Sequence, residues 1–423
     1  MASSSTAGNF DTSTDRSQSQ HGILVRESCT EDTTTDTQLD RLTGPLTWTA
    51  DNFSDPSSYT VELDADELAD ISNGLETFLQ SGLDPNDIEP STFPLSRAQE
   101  KLHRCAQILH NEHGFCVLRG LDSKHSVEHG LLVFLGLASY IGDKRGVQNK
   151  QGHMLSHITD LRPQNTRENS RHGIHTNSPL PFHTDMGTDV LALQVRGLAA
   201  QGGHTFVTSA WSIYNDLLSE PNHLQMLLEP TWPIQISKRQ ARTTCLVRSL
   251  LNPDWPPPSC RYILAPLFQL SRGRLMVSVD PARLGPQKAG TEDAPPLTSA
   301  QLAALEALQR SAANHQVCVH TAPGDILFIN NWALLHRRDS YLDGPGQTRH
   351  LVRLWLRNSE LGWPIPDTMA IPWMSAYGND VSDIFYPVEP LDIYPEPKYS
   401  VGSAAFVLDD TDEEQDEQDS TSR

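Results

Sequence analysis

His183 and Asp185, in NSPLPFHTDMGTDVLAL, stand two residues apart in a stretch with no helical periodicity. In extended backbone that spacing sends both side chains to the same side of the strand. An imidazole and a carboxylate converging this way supply two members of the two-His, one-carboxylate set that suits Fe(II) and leaves coordination positions open. The H-x-D/E pattern is weak by itself. With 17 histidines and 53 acids in 423 residues, about two matches are expected from composition. One further match, His110 with Glu112, falls on a predicted helix. Residues two apart on a helix do not face each other, so this pair reads as a surface pair.

A third ligand is available downstream, in GDILFINNWALLHRRDSYLDGPGQTRHLVRLWLR. His336 follows a Pro323-Gly324-Asp325 turn, a buried strand and an Asn-Asn pair, and it precedes a strand bearing Arg349 and Arg353. Their even separation puts both arginines on one face. Inward guanidiniums among Leu351, Leu354 and Trp355 are costly unless anions meet them. A dicarboxylate is one such anion, because the rigid fork of arginine matches a carboxylate bidentately. The pattern leaves open that they face solvent or pair with Asp325 or Asp339.

The elements that must position these groups are mostly strands. GHMLSHITD, TDVLALQV, GGHTFVTSA, CRYILAPLFQL, RLMVSVD, HQVCVHT, GDILFIN and RHLVRLWLR are short, β-rich and bounded by Gly, Pro or Asp. Helices are expected in DADELADISNGLETFLQSG, in SRAQEKLHRCAQILHNEHG with Gly114 as its stop, near AWSIYNDLL, and in TSAQLAALEALQRSAAN with a Thr298 or Ser299 cap. Strands at intervals with few helices predict an α+β, mainly β fold, a double-sheet jelly roll framed by helices. Residues 1–55 are poor in apolar periodicity and read as a disordered segment, 56–400 as one catalytic domain, and 401–423, with DDTDEEQDEQD, as an acidic disordered tail.

Composition narrows the function. A formal net charge of -21 argues against nucleic acid, whose partners usually carry a basic face. No stretch approaches the roughly 20 apolar residues of a membrane span, and the N-terminus lacks a secretory or mitochondrial signal pattern. Six scattered cysteines with no C-x-x-C pair point to a reducing compartment and a cytoplasmic location. Neither a nucleic acid nor a membrane is expected as partner.

These motifs, in this order, resemble the taurine dioxygenase-like (clavaminate synthase-like) family of Fe(II)- and 2-oxoglutarate-dependent dioxygenases, and within it the fungal members of small-molecule metabolism. The likeness runs from about Leu95 to Arg357 and includes HGFCVLRGL, LPFHTDMGTDVLAL, QGGHTFVTSAWSIYNDL and GDILFINNWALLHRRDSY. It implies a double-stranded β-helix (jelly-roll, cupin-like barrel) with His183, Asp185 and His336 as metal-binding and catalytic residues at its mouth. It also implies that Thr205 and Arg349 bind 2-oxoglutarate, and that Arg353 meets an anionic substrate. The cofactors implied are Fe(II), 2-oxoglutarate and O2, and the reaction is oxidation, most simply hydroxylation, of a small metabolite with release of succinate and CO2. Two departures make taurine an unsafe substrate: Ser-Pro-Leu-Pro-Phe precedes His183, and His204 replaces the acid common before that threonine. The competing readings are a non-catalytic barrel that binds a small acid or acts as a scaffold, and an oxygenase acting on a protein or peptide.

Overall fold

Nearly all the residues singled out above lie on, or within two positions of, strands of two hydrogen-bonded sheets. The computed structural model describes residues 39–121, 125–149, 151–161, 173–235, 262–286, 294–378 and 384–391. The larger sheet runs in the order Thr60–Glu62, Phe115–Arg119, Ile326–Asn330, Val190–Gly197, His350–Arg357, Lys144–Gly146, and Leu155–Thr159 also pairs with His350–Arg357. The smaller sheet runs Val317–Val319, Thr205–Ser209, Leu334–Arg338, Leu180–His183. Apart from the parallel pairing of Thr60–Glu62 with Phe115–Arg119, both sheets are antiparallel.

Period-two alternation decides what each face of the larger sheet does. Val190, Ala192, Val352, Leu354, Ile326 and Phe328 join the main core with residues of the helices Ala65–Ser81, Ala98–Asn111 and Val127–Ser139. Leu191, Leu193, Leu351 and Arg353 point the other way and line a cavity. Strands covered on both faces read as nearly continuous apolar runs, as VLAL and ILFI do. The helices start and stop where their caps dictate. Asp64 and Glu67 form a reciprocal box at the start of Ala65–Ser81, and Thr298 and Gln301 do so for Ser299–His315. Gly114 sits at φ +88 after Ala98–Asn111, a conformation that favours glycine.

Four expectations need correction. The described residues mix helix and strand rather than being mainly β, because helices cover the outer face of the larger sheet. Their strands hydrogen-bond as separate sheets, not as one closed ring. Part of the segment read as disordered is folded: from Arg41 onward the described residues belong to one compact unit. Leu46 and Trp48 are buried there. Trp48 donates its Nε1–H to the His113 carbonyl at 3.0 Å, and its own carbonyl accepts from Ser212 Oγ at 2.6 Å. Asn215 holds the backbone N–H and carbonyl of Leu42, both at 2.8 Å. Side-chain hydrogen bonds and two apolar anchors hold this segment in place of a periodic apolar pattern. The pair His110/Glu112 also behaves differently, since His110 is buried and only Glu112 is on the surface, paired with Arg104. Residues 1–38, the acidic tail from 401 and the DWPPPSC segment lie outside the described residues.

Replacing Trp48 by alanine is expected to cost about 3–5 kcal/mol of unfolding free energy, the usual range for deleting a buried tryptophan. Urea denaturation of the Trp48→Ala variant checks this, and an unchanged midpoint would remove residues 41–55 from the folded unit.

Candidate metal centre

His183 ends the strand Leu180–His183, and His336 lies in the middle of Leu334–Arg338. The two strands are antiparallel neighbours, and these two residues are register partners. Residues directly opposite each other in such a ladder project to the same face. The imidazoles accordingly meet, with ring centroids 4.2 Å apart. His183 donates Nδ1–H to the Pro181 carbonyl at 2.9 Å, since a carbonyl can only accept. That fixes the tautomer and leaves the Nε2 lone pair aimed at the centre. Burial first, and then the neighbouring His183, push His336 down to about 3, against the pull of Asp185. It is a neutral imidazole at any physiological pH.

Asp185 follows two residues beyond the strand, and its backbone is held by Asn331. The Asn331 carboxamide accepts from Asp185 N at 2.9 Å and donates to the carbonyls of Asp185 and Thr188 at 2.7 and 3.0 Å. One carboxylate oxygen, Oδ2, accepts from Arg353 Nη1 and from Trp355 Nε1, each at 2.9 Å. The other, Oδ1, is buried with no hydrogen-bond partner. It lies 3.8 Å from His183 Nε2 and 3.7 Å from His336 Nε2. Burial works against ionisation of Asp185, but Arg353 and the surrounding donors outweigh it and hold the carboxyl below the usual range. Three buried donor atoms within 4.8 Å of one another, one of them an orphaned anionic oxygen, are what a small divalent cation would satisfy. The residues present fit an iron ion.

The same cavity, of about 410 Å³ including its open mouth, is lined by the triad and by Thr205, Arg338, Arg349 and Arg353. Arg349 is buried, donates Nε–H to the Gly203 carbonyl at 2.8 Å, and has no partner for Nη1. Burial and the nearby Arg338 push its pKa down to about 9, which still leaves a cation at neutral pH. Gly203 has φ +75, and a Cβ there would sit 2.7 Å from Arg349 Cδ. The second glycine of QGGHT is therefore what lets this arginine pack against the strand.

The sequence-derived residues His183, Asp185, His336, Thr205, Arg349 and Arg353 thus all reach one cavity, where Arg353 already has partners. Its guanidinium is spent on Asp185 Oδ2, on Gln148 Oε1 at 2.8 Å and on Ser156 Oγ at 3.4 Å. It neutralises the carboxylate of Asp185. Neither arginine pairs with Asp325 or Asp339, which bond Arg119 and His204 instead. Sequence reading missed Asn331, Gln148, Arg338 and Trp355. Of these Trp355 carried a signal, because it continues the even spacing of 349 and 353 on one strand face. His157 serves the fold rather than the cavity, bonding His350 and the Pro387 carbonyl, both at 2.9 Å.

Residues 80–355 match the family described as Taurine catabolism dioxygenase TauD, TfdA family. The chain is 31% identical over 368 residues to the taurine hydroxylase-like protein SAT17 of Stachybotrys chartarum, covering 82% of this chain and 90% of that one. It is 27% identical over 336 residues to the FR-33289 synthase of Streptomyces rubellomurinus, covering 78% and 94%. Among solved structures, the non-heme iron oxygenase OrfP in complex with Fe and alpha-ketoglutaric acid superposes with a TM-score of 0.51 at 18% identity, covering 71% of this chain and 94% of that one. Asparagine oxygenase in complex with Fe(II), hydroxyasparagine and succinate gives 0.51 at 17% identity, covering 72% and 98%. At these identities the structural likeness speaks for the fold.

Removing the Trp355 hydrogen bond frees Asp185 Oδ2 on one side without opening a large cavity. Trp355→Phe is expected to weaken Mn(II) affinity roughly 10- to 100-fold, the usual effect of losing a partner that orients a ligand. An anaerobic titration followed by electron paramagnetic resonance reads it, and wild-type affinity would contradict the role given to the indole.

Proposed function

Because the chain belongs to the TauD, TfdA family and is an iron- and 2-oxoglutarate-dependent oxygenase, we propose that it hydroxylates a small organic metabolite. In this reading His183, Asp185 and His336 are the iron ligands, and Arg349 with Thr205 holds the far carboxylate of 2-oxoglutarate. The two main sheets are then the halves of a double-stranded β-helix with the metal at its mouth. The observation that carries the reading is the orphaned Oδ1 of Asp185 facing two Nε2 atoms, in the same cavity as an arginine that makes no ion pair among the described residues.

When bound, iron with 2-oxoglutarate and O2 supplies the oxidising equivalent, as the cosubstrate is decarboxylated to succinate and CO2. The protein does the rest by placement. His183 and His336 present imidazole nitrogens from adjacent strands, and Asp185 presents one oxygen because the other is already occupied. Arg353 balances the buried carboxylate, which keeps it ionised and unable to protonate in place of binding metal. Arg349 anchors the cosubstrate at the far end, so its 2-oxo acid end is oriented toward the triad. Ile158, Ile174, Leu180, Leu191, Leu193 and Leu351 make the remaining wall apolar and exclude water from the reacting centre. A small metabolite as substrate is supported by the likeness to two relatives, a taurine hydroxylase-like protein and the FR-33289 synthase. Family membership and the intact donor set weigh against a non-catalytic barrel.

Succinate release that requires both iron and 2-oxoglutarate and is abolished in His183→Ala tests this assignment, with a panel of small metabolites as substrates. Succinate formation by His183→Ala at the wild-type rate would refute it. Gly203→Ala, which crowds Arg349, is expected to raise the KM for 2-oxoglutarate about 10-fold while iron affinity stays near wild type. Equal loss of both would show that the glycine serves the whole site rather than the arginine.

A further inference from the structure

We propose that Arg338 is a second guanidinium of the far-carboxylate subsite, so that the pocket distinguishes a 2-oxo diacid from a 2-oxo monoacid with two arginines rather than one. The proposal rests on the reading of Arg349 given above and extends it to a residue that neither the motif spacing nor the family resemblance singled out.

Arg338 is two residues beyond His336 on the strand Leu334–Arg338, so it shares the inward face of that strand with a triad histidine. Its register partners are Leu180 on one side and Thr205 on the other. The side chain is 3% exposed and lines the same cavity as Thr205 and Arg349. Both guanidiniums lie near the Tyr341 ring, with their carbon atoms 5.1 Å (Arg338) and 5.4 Å (Arg349) from its centroid. Thr205, Arg338 and Arg349 therefore surround one corner of the cavity.

What Arg338 bonds to leaves it half used. Nη2 donates to the carbonyls of Gly173, at 3.2 Å, Thr176, at 2.9 Å, and Ser178. These three bonds fix the plane of the guanidinium. Nε and Nη1 are buried and have no acceptor. Asp160 and Asp339 exert an attractive field on it, but no carboxylate among the described residues forms an ion pair with either Arg338 or Arg349. Buried cations with unused donors at one corner of a cavity cost free energy until an anion arrives. Arg353 offers the contrast within the same cavity, since its charge is met by Asp185. A terminal carboxylate, with four lone-pair positions, accepts from two guanidiniums and a hydroxyl at once. The Tyr341 hydroxyl, also buried without a partner, is a further donor at this corner.

The test is a calorimetric titration of the Mn(II)-loaded full chain with 2-oxoglutarate and with 2-oxovalerate, a monoacid of the same chain length. Both bring the same 2-oxo acid end, so the ratio of their dissociation constants reads recognition of the far carboxylate alone. Arg338→Met and Arg338→Gln are each expected to shrink that ratio roughly 10- to 100-fold, the range for one charge-assisted hydrogen bond, with 2-oxovalerate affinity little changed. Glutamine can still donate to the 173–178 carbonyls, so it keeps the test open where the methionine variant does not fold. A wild-type ratio in the folded Arg338 variants, while Arg349→Met collapses it, would overturn the proposal and leave Arg338 as a strut for that segment. A wild-type ratio in Arg349→Met as well would overturn the reading of Arg349 and this proposal with it.

Discussion

The carboxylate of Asp185 has to be ionised and buried at once, and ions taken out of water are stable only where partners replace the lost solvent. Much of the surrounding architecture answers that requirement. Arg353 supplies the counter-charge and Trp355 a neutral donor, both to Oδ2. Asn331 fixes the backbone from which the side chain springs. Only Oδ1 is left without a partner, facing the two imidazoles. The asymmetry between the two oxygens leaves the group with one oxygen open to a cation rather than a saturated ion pair.

Charge elsewhere in the cavity follows the same logic. Three buried arginines line it, and one is neutralised by Asp185. The other two, Arg338 and Arg349, stand together near Thr205 with unused donors. The cavity is thus divided into an anionic corner that calls for a cation and a cationic corner that calls for an anion. The leucines and isoleucines between them keep water scarce, which strengthens both demands. A metal and a dicarboxylate that reaches from one corner to the other would satisfy the two together.

How much of this was legible in the sequence depends on the range of the interaction. His183 and Asp185 were readable because two-residue spacing in extended chain is a local rule. The arginines at 349 and 353 were readable for the same reason, and Trp355 should have been. Pairing across the sheet was not. That His336 is the register partner of His183, or that Arg353 turns to an aspartate 168 positions away, depends on how distant strands align, which no local pattern encodes. The resemblance to known enzymes brought His336 into the expected ligand set, but it gave no sign that Arg353 bonds Asp185, because the family pattern marks the position and not the partner. The segment 41–55 was lost for a different reason: its order comes from Ser209, Ser212 and Asn215 bonding an irregular backbone, a signal that hydrophobic periodicity does not carry.

The account is tested most directly by a crystal structure of the protein with Mn(II) and 2-oxoglutarate, the metal located by its anomalous scattering. It predicts a single strong peak touching His183 Nε2, Asp185 Oδ1 and His336 Nε2, with the far carboxylate of the diacid against Arg349. A metal bound through Asp185 Oδ2 with Arg353 displaced, or a diacid whose far end lies away from Arg349, would contradict it.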